Sequence, residues 1–192
     1  MMAIPRVDYE KCVAELTTAG AEIEQPFHVE QQGCVLDGAV VLRSVMTITG
    51  KVGISSGPTL MCPFALTFSR WVKEVSAPII VQQMGAPLAV IQTGTAFLCR
   101  NRVGLGESKV SEHARGNALD IVSFDLRDRR RIIIGDEVPP ASPIAKTLRG
   151  LRTSACGYFT TVLGPGSNEA HKTHFHFDLG QHGKSGSYRI CE

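Results

Sequence analysis

Residues 171–178 hold three of the chain's six histidines and end on an aspartate. In a β-strand, alternate side chains point to one face, so His174, His176 and Asp178 share a face. The two intervening phenylalanines would anchor the strand in a core. Imidazoles at alternate positions converge on one point, which is the geometry that a transition metal requires. The pattern predicts a metal-binding strand, and a histidine-rich surface strand is the alternative.

A second polar group lies upstream, where His113 and Asp120 are seven positions apart. Gly116 and the apolar residues that follow it favour a turn leading into a strand, so that the histidine can fold over the strand aspartate. Two imidazoles and one carboxylate form a three-ligand set that leaves the fourth position of zinc open for water. Together, the two groups predict a zinc site that could support catalysis.

Hydrophobic periodicity predicts an α+β fold around these groups. Helices are expected from Pro63 to Val75, with the proline in the first turn, and within residues 142–154. Strands are expected at residues 39–45, 88–93, 118–126, 131–134 and 160–163, and residues 5–58 are interpreted as an approach segment. We expect a central, largely antiparallel sheet with helices on one side, and a cleft that holds Asp120 and His176.

The composition excludes several classes of protein. The chain has 192 residues, of which 43% are hydrophobic and 20% charged, and this fits one globular domain. The net charge is +2, and no basic run exceeds the three arginines at 129–131, so a nucleic-acid partner is not expected. No apolar run approaches the ~20 residues that a membrane-spanning helix needs, so no membrane span is expected.

The cysteines are dispersed singly along the chain, and their even number predicts three disulfides in an oxidising compartment. The six are Cys12, Cys34, Cys62, Cys99, Cys156 and Cys191. Chain proximity alone suggests the pairs Cys12–Cys34, Cys62–Cys99 and Cys156–Cys191. This interpretation implies an exported protein whose signal peptide has been removed. Six reduced, buried thiols in a cytosolic protein are the alternative.

The pattern S-x-H-x-x-G-x-A-x-D from Ser111 to Asp120, with a later H-x-H, resembles the zinc peptidases of peptidoglycan. That group joins D-alanyl-D-alanine carboxypeptidases, lysostaphin-type endopeptidases and the Hedgehog signalling domain. More closely, the chain resembles the bacterial extensin-like C-terminal domain family. The matching blocks are residues 60–63, 99–101, 111–114, 116–121, 162–165 and 174–179. The resemblance covers residues 34–191, so 34–192 is interpreted as the extensin-like domain and 1–33 as an N-terminal segment of one compact unit.

This resemblance implies roles for individual residues. It makes His113, Asp120 and His176 the zinc ligands, because the wider group usually binds metal through the second histidine of H-x-H. His171 and His174 would then be catalytic or support the ligands, which matches the H-x-x-H-x-H spacing of the penicillin-insensitive murein endopeptidases.

Three further residues acquire expected roles in the same way. Arg100 resembles an arginine that can face the scissile carbonyl, where a cation would stabilise the charge of the tetrahedral transition state. A solvated surface arginine is the alternative. Ser111 and Asp178 are expected to orient the imidazoles. Other members carry an acidic general base near position 171, but Glu169 lies two residues too early, so the identity of the base stays open.

The function implied by the resemblance is hydrolysis of peptide crosslinks or stem peptides of bacterial peptidoglycan by a zinc-activated water, in the periplasm or elsewhere outside the cytoplasm. The bond cleaved would depend on loops such as residues 103–110. A non-catalytic, zinc-stabilised module that binds cell wall or a partner protein is the main alternative. A Cys-His hydrolase is disfavoured, because an even, dispersed set of cysteines argues against a free thiol.

Overall fold

One sheet of eleven strands runs through the residues that the computed structural model describes, 2–101 and 110–192. The strands are β1 (Met2–Ala3), β2 (Ala21–Gln31), β3 (Cys34–Thr47), β4 (Gly50–Ile54), β5 (Thr59–Met61), β6 (Leu88–Thr93), β7 (Ala118–Leu126), β8 (Arg131–Ile133), β9 (Thr161–Leu163), β10 (Phe175–Asp178) and β11 (Ile190–Cys191). Their order is β1-β3-β4-β6-β7-β10-β9-β11, while β2 and β5 pair with β3 and β8 pairs with β7. Among these described strands, only the β1–β3, β4–β6 and β9–β11 pairings are parallel, so the sheet is largely antiparallel as expected.

Four α-helices flank the sheet in the described part of the chain: α1 (Arg6–Thr18), α2 (Cys62–Trp71), α3 (Ala77–Met84) and α4 (Pro143–Ala155). Helix α2 continues through a π-helical turn into α3, so the predicted helix at 63–75 extends to residue 84. Helix α4 begins where expected, because the Ser142 hydroxyl caps it by accepting a hydrogen bond from the backbone N–H of Ala145 at 3.1 Å.

The interpretation of residues 5–58 as an approach segment with one short strand is wrong, because they contain α1 and strands β2 to β4. Helix α1 buries only Tyr9, Cys12 and Leu16, so its apolar stripe is too narrow to predict a helix. None of the eleven described residues of β2 is fully buried, and the alternation of apolar and polar residues is interrupted at Gln25–Pro26, where the pairing with β3 shifts register. The boundary drawn at residue 34 falls after the turn between β2 and β3, and α1 packs on the same core as the rest.

An aromatic cluster in this core anchors strand β10. The ring of Phe177 packs edge-on against Trp71 at 5.2 Å and stacks on Phe159 at 4.8 Å. Phe175 and Phe177 are both buried, as the strand pattern predicts. Since burying one such side chain stabilises a fold by roughly 1.5–3 kcal/mol, the cluster fixes β10 firmly in the sheet. The opposite face of β10 carries His176 and Asp178.

Three disulfides are present, and no cysteine is free. The predicted pair Cys156–Cys191 is confirmed, and its cysteines lie on α4's C-terminal end and on β11. The predicted pairs Cys12–Cys34 and Cys62–Cys99 are wrong; the bonds are Cys12–Cys62 and Cys34–Cys99. Chain proximity failed here because α1 packs against α2, which brings together cysteines 50 positions apart.

The disulfides fit an exported protein, since such bonds persist in oxidising compartments. Within the residues described, no helix has both the length and the apolar character needed to cross a membrane.

Candidate metal centre

Strands β7 and β10 bring two of the predicted ligands face to face. The strands are antiparallel, and their register places His176 directly opposite Asp120. The neighbouring residues on each strand, such as Ile121 and Phe175, point into the core. The Nδ1 atom of His176 therefore lies 3.0 Å from Oδ1 of Asp120.

A tight turn supplies the third side chain, His113. Residues 113–115 form a 3₁₀ turn that ends on Gly116, whose φ of 61° lies in the left-handed region. A Cβ atom at position 116 would lie 2.7 Å from Leu36 Cδ1, and the glycine carbonyl accepts a hydrogen bond from the backbone N–H of Met61. The turn thus needs glycine. It places His113 Nε2 3.4 Å from Asp120 Oδ1 and 3.2 Å from His176 Nδ1.

The hydrogen-bond partners of the two imidazoles determine which nitrogens carry protons. His113 Nδ1 lies 2.8 Å from the carbonyl oxygen of Ala96, and His176 Nε2 lies 3.0 Å from Oδ2 of Asp178. A carbonyl and a carboxylate only accept hydrogen bonds, so these two nitrogens donate. In each neutral ring, the other nitrogen then presents a lone pair. His113 Nε2, His176 Nδ1 and a carboxylate oxygen of Asp120 converge on one point, and all three atoms can ligate a metal ion once His176 is neutral.

The spacing of these three atoms suits a tetrahedral metal site. Ligands bound to zinc at 2.0–2.1 Å in a tetrahedron lie about 3.3 Å from one another. The three separations here are 3.0, 3.2 and 3.4 Å. His113, Asp120 and His176 could therefore hold a metal ion, and all three are buried.

Burial and charge shape the protonation of this cluster. Burial alone would lower the pKa of His176, but hydrogen bonds to Asp120 and Asp178 raise it to about 9. Burial alone would raise the pKa of Asp120, but the imidazoles of His113 and His176 beside it hold that pKa well below its usual range. Asp120 is therefore an anion at neutral pH, as a ligand carboxylate must be.

Two more histidines lie beside this group. The ring of His171 is 5.2 Å from that of His174 and 5.5 Å from that of His176. His171 Nδ1 lies 2.7 Å from the side-chain oxygen of Asn168, to which it donates, so its Nε2 carries the lone pair. Burial, together with the charges of the neighbouring rings, lowers the pKa of His171 to about 4, and burial also lowers that of His174. Both rings are neutral at pH 7.

A cleft of about 610 Å³ gathers every residue to which the sequence assigned a role. They are Arg100, Ser111, His113, Asp120, His171, His174, His176 and Asp178. Arg100 lines this cleft, and its Nε is buried without a hydrogen-bond partner among the described residues. A cation with an unused donor is suited to bind an oxygen of a ligand.

The supporting residues act differently from one another. Asp178 accepts a hydrogen bond from a ring nitrogen of His176. Ser111, in contrast, does not contact an imidazole: its hydroxyl accepts a hydrogen bond from the backbone N–H of His113 at 3.3 Å and so stabilises the turn. Glu169 is 85% exposed and pairs with Lys172, so its carboxylate does not line the cleft.

Several residues that line the cleft were missed by sequence reasoning, among them Glu112, Thr161 and His182. Glu112 is buried and accepts a hydrogen bond from the Asn117 amide at 2.8 Å. Glu112 lies within the S-x-H-x-x-G-x-A-x-D pattern, and this position is the sequence feature that could have identified it. His182 belongs to neither histidine motif, so only tertiary structure shows its contact with Thr161. The predicted specificity loop, residues 103–110, lies outside the described residues except for its last position.

Residues 10–192 match the family model described as the extensin-like protein C-terminus. The match starts within α1, earlier than the resemblance seen in the sequence motifs. Neither a curated protein nor a solved structure matches the chain.

Proposed function

The chain belongs to the family of extensin-like protein C-termini, and from this premise we propose that it is a zinc-dependent peptidase of bacterial peptidoglycan. Its substrates would be peptide crosslinks or stem peptides. The substrate class is supported by the S-x-H-x-x-G-x-A-x-D pattern from Ser111 to Asp120 and by the later H-x-H, which resemble the peptidoglycan peptidases. The three disulfides are consistent with the periplasm as its compartment.

The observation that carries this proposal is the convergence of His113 Nε2, His176 Nδ1 and a carboxylate oxygen of Asp120, which lie 3.0, 3.2 and 3.4 Å from one another. In the metal-free protein at neutral pH, a proton on His176 Nδ1 lies among these atoms, and a metal ion that displaces it would be held by all three. Two imidazoles and a carboxylate at tetrahedral spacing favour zinc, and a set of three protein ligands is typical of catalytic rather than structural sites. Bound zinc would supply Lewis acidity and a water molecule whose pKa is lowered to about 7.

His171 is suited to move the proton that hydrolysis requires. Its Nδ1–H is held by Asn168, so Nε2 is the nitrogen that accepts a proton from the attacking water and passes it to the leaving amine. His174 is the second candidate for this role, because its Nε2 lies 3.7 Å from Oδ1 of Asp120. Both rings are neutral at pH 7, as an acceptor must be.

Arg100 would act on the substrate carbonyl. Arg100 lines the same cleft as the proposed metal ligands. A peptide carbonyl oxygen gains negative charge as the tetrahedral intermediate forms, so a fixed cation beside it stabilises the transition state more than the ground state.

Digestion of purified muropeptides, followed by mass spectrometry, tests the function and identifies the bond. We expect about one zinc per chain and release of peptides, both lost in His176→Ala. His28→Ala is the matched control, because His28 pairs with Asp37 on the surface and does not line the cleft. A protein that binds zinc and cell wall without releasing peptides would instead be a non-catalytic binding module. Full zinc content in both His113→Ala and Asp120→Ala would contradict the ligand set.

A further inference from the structure

A chain of hydrogen bonds leads away from the proposed ligand His176 to His182. The first link is Asp178, whose Oδ2 lies 3.0 Å from Nε2 of His176 and whose Oδ1 accepts the backbone N–H of Gly180 at 2.8 Å. Thr161 lies directly opposite Asp178 in the pairing of β9 with β10, and its hydroxyl helps to lower the pKa of the Asp178 carboxyl. The last link joins Thr161 Oγ1 to Nε2 of His182 at 2.6 Å.

The direction of each bond follows from proton counting. An ionised carboxylate only accepts, so the arrangement that serves Asp178 is the one in which the single hydroxyl proton of Thr161 is directed at it. The hydroxyl oxygen is then left to accept, and His182 Nε2 must carry the hydrogen that it receives. In this arrangement the donors of His176, Thr161 and His182 are all oriented toward the Asp178 carboxylate, and such aligned hydrogen bonds polarise one another.

We propose that Thr161 and His182 are positioning residues of the metal site. They hold the Asp178 carboxylate against Nε2–H of His176, which keeps the Nδ1 lone pair of that ring directed at Asp120 and His113. The inference rests on the proposed zinc site, and it extends that site by two residues. Partners of this kind raise the basicity of a ligating histidine and fix its orientation.

Thr161 lies on a strand next to Asp178, whereas His182 comes from the segment that follows β10. Thr161 lies directly opposite Asp178 in the antiparallel pairing of β9 with β10, and both side chains are buried. His182 comes from the segment between β10 and β11, whose far end is fixed by the pairing of β11 with β9 and by the disulfide Cys156–Cys191. His182 therefore connects the C-terminal segment to the metal site.

Zinc affinity of matched variants tests the first link. Thr161→Val removes the hydroxyl but keeps the shape, whereas Thr161→Ser keeps the hydroxyl. Competition with a chromophoric zinc chelator should show affinity weakened about 10-fold in Thr161→Val, the low end of the 10–100-fold range for such partners, with Thr161→Ser close to wild type. The absorption bands of the Co²⁺-substituted protein should shift in Thr161→Val, because the His176 ligand changes its basicity.

The second link is tested in the same way at position 182. His182→Gln keeps an N–H donor at similar reach and should restore the affinity that His182→Ala loses. Zinc affinities and cobalt spectra that equal wild type in Thr161→Val and in His182→Ala would overturn the inference. So would equal losses in His182→Gln and His182→Ala. A wild-type chain that binds no zinc would instead overturn the proposed function, so the two failures are distinguishable.

Discussion

Arg100 and His176 line the same cleft, but replacing each should have a different effect on zinc content and turnover. Arg100→Ala should retain zinc, because a guanidinium does not ligate metal, while turnover falls on the order of 10²–10³-fold, as it does when one donor to a developing oxyanion is lost. Zinc content and peptide release should be measured in the same preparation. Arg70→Ala is the matched control, since it removes an exposed arginine that pairs with Glu15. Wild-type turnover in Arg100→Ala would refute the role.

The affinity for zinc should depend on pH through His176. Hydrogen bonds to Asp120 and Asp178, acting against burial, raise the pKa of this ring to about 9 in the protein without metal. Between pH 7 and 8 the ring therefore carries a proton on Nδ1 that the metal must displace. The affinity should rise about tenfold per pH unit over this range and level off above pH 9.

Chelator competition at several pH values measures this slope. An unshifted histidine, with a pKa near ~6.5, would give an affinity that is flat above pH 7. Asp178→Asn removes one of the acceptors that raise the pKa of His176, so its plateau should begin at lower pH. A pH-independent affinity between pH 7 and 8 in wild type would contradict the proposed displacement of a proton from His176.

At the scale of elements, the turn that carries His113 depends on Gly116. Alanine there would adopt φ of 61° and bring its Cβ to 2.7 Å from Leu36 Cδ1, so the turn must shift. We expect Gly116→Ala to lower the free energy of unfolding by about 1–3 kcal/mol and to weaken zinc binding. Thermal unfolding and zinc competition measure the two effects.

Gly150→Ala is the control for this substitution. Gly150 lies in α4, where a Cβ would meet only Ile79 at ordinary contact distances, so alanine should not destabilise the fold. Unchanged zinc affinity and stability in Gly116→Ala would show that the turn tolerates a side chain and that its geometry does not set the position of His113.

Strands and turns with regular local patterns could be predicted from the sequence. Strand β7 has the predicted bounds, because its apolar residues alternate around Asp120, and β10 follows from the alternation of histidine and phenylalanine. Helix α1 and strand β2 give weaker signals, because α1 buries only three residues at helical spacing and the alternation of β2 is interrupted at Pro26. His182 could not be found either, because its contact with Thr161 depends on how the C-terminal segment returns to β9.

Across the whole molecule, each disulfide ends beside a part of the cleft. Cys62 follows Met61, whose backbone N–H holds the carbonyl of Gly116, and Cys99 precedes Arg100. Cys191 follows Ile190, which lines the cleft near His182. The cross-links therefore do more than restrict the unfolded chain, because each fixes a segment that carries a different part of the site.

This arrangement predicts separable effects of removing two of the disulfides. Serine replacements at both ends of either bond should cost about 2–5 kcal/mol of stability. Loss of Cys34–Cys99 should release the segment that carries Arg100, so turnover falls while zinc affinity persists. Loss of Cys156–Cys191 should release the segment that carries His182, so zinc affinity falls as well.

Each double variant serves as the control for the other, because both lose one cross-link of the same kind. Zinc competition and muropeptide digestion should be run well below the unfolding temperature of the less stable variant, so that global unfolding does not contribute. If both variants lose zinc affinity to the same extent, the disulfides act only through overall stability. If zinc affinity falls only without Cys156–Cys191, the C-terminal segment is part of the metal site's support, as the hydrogen bond of His182 to Thr161 indicates.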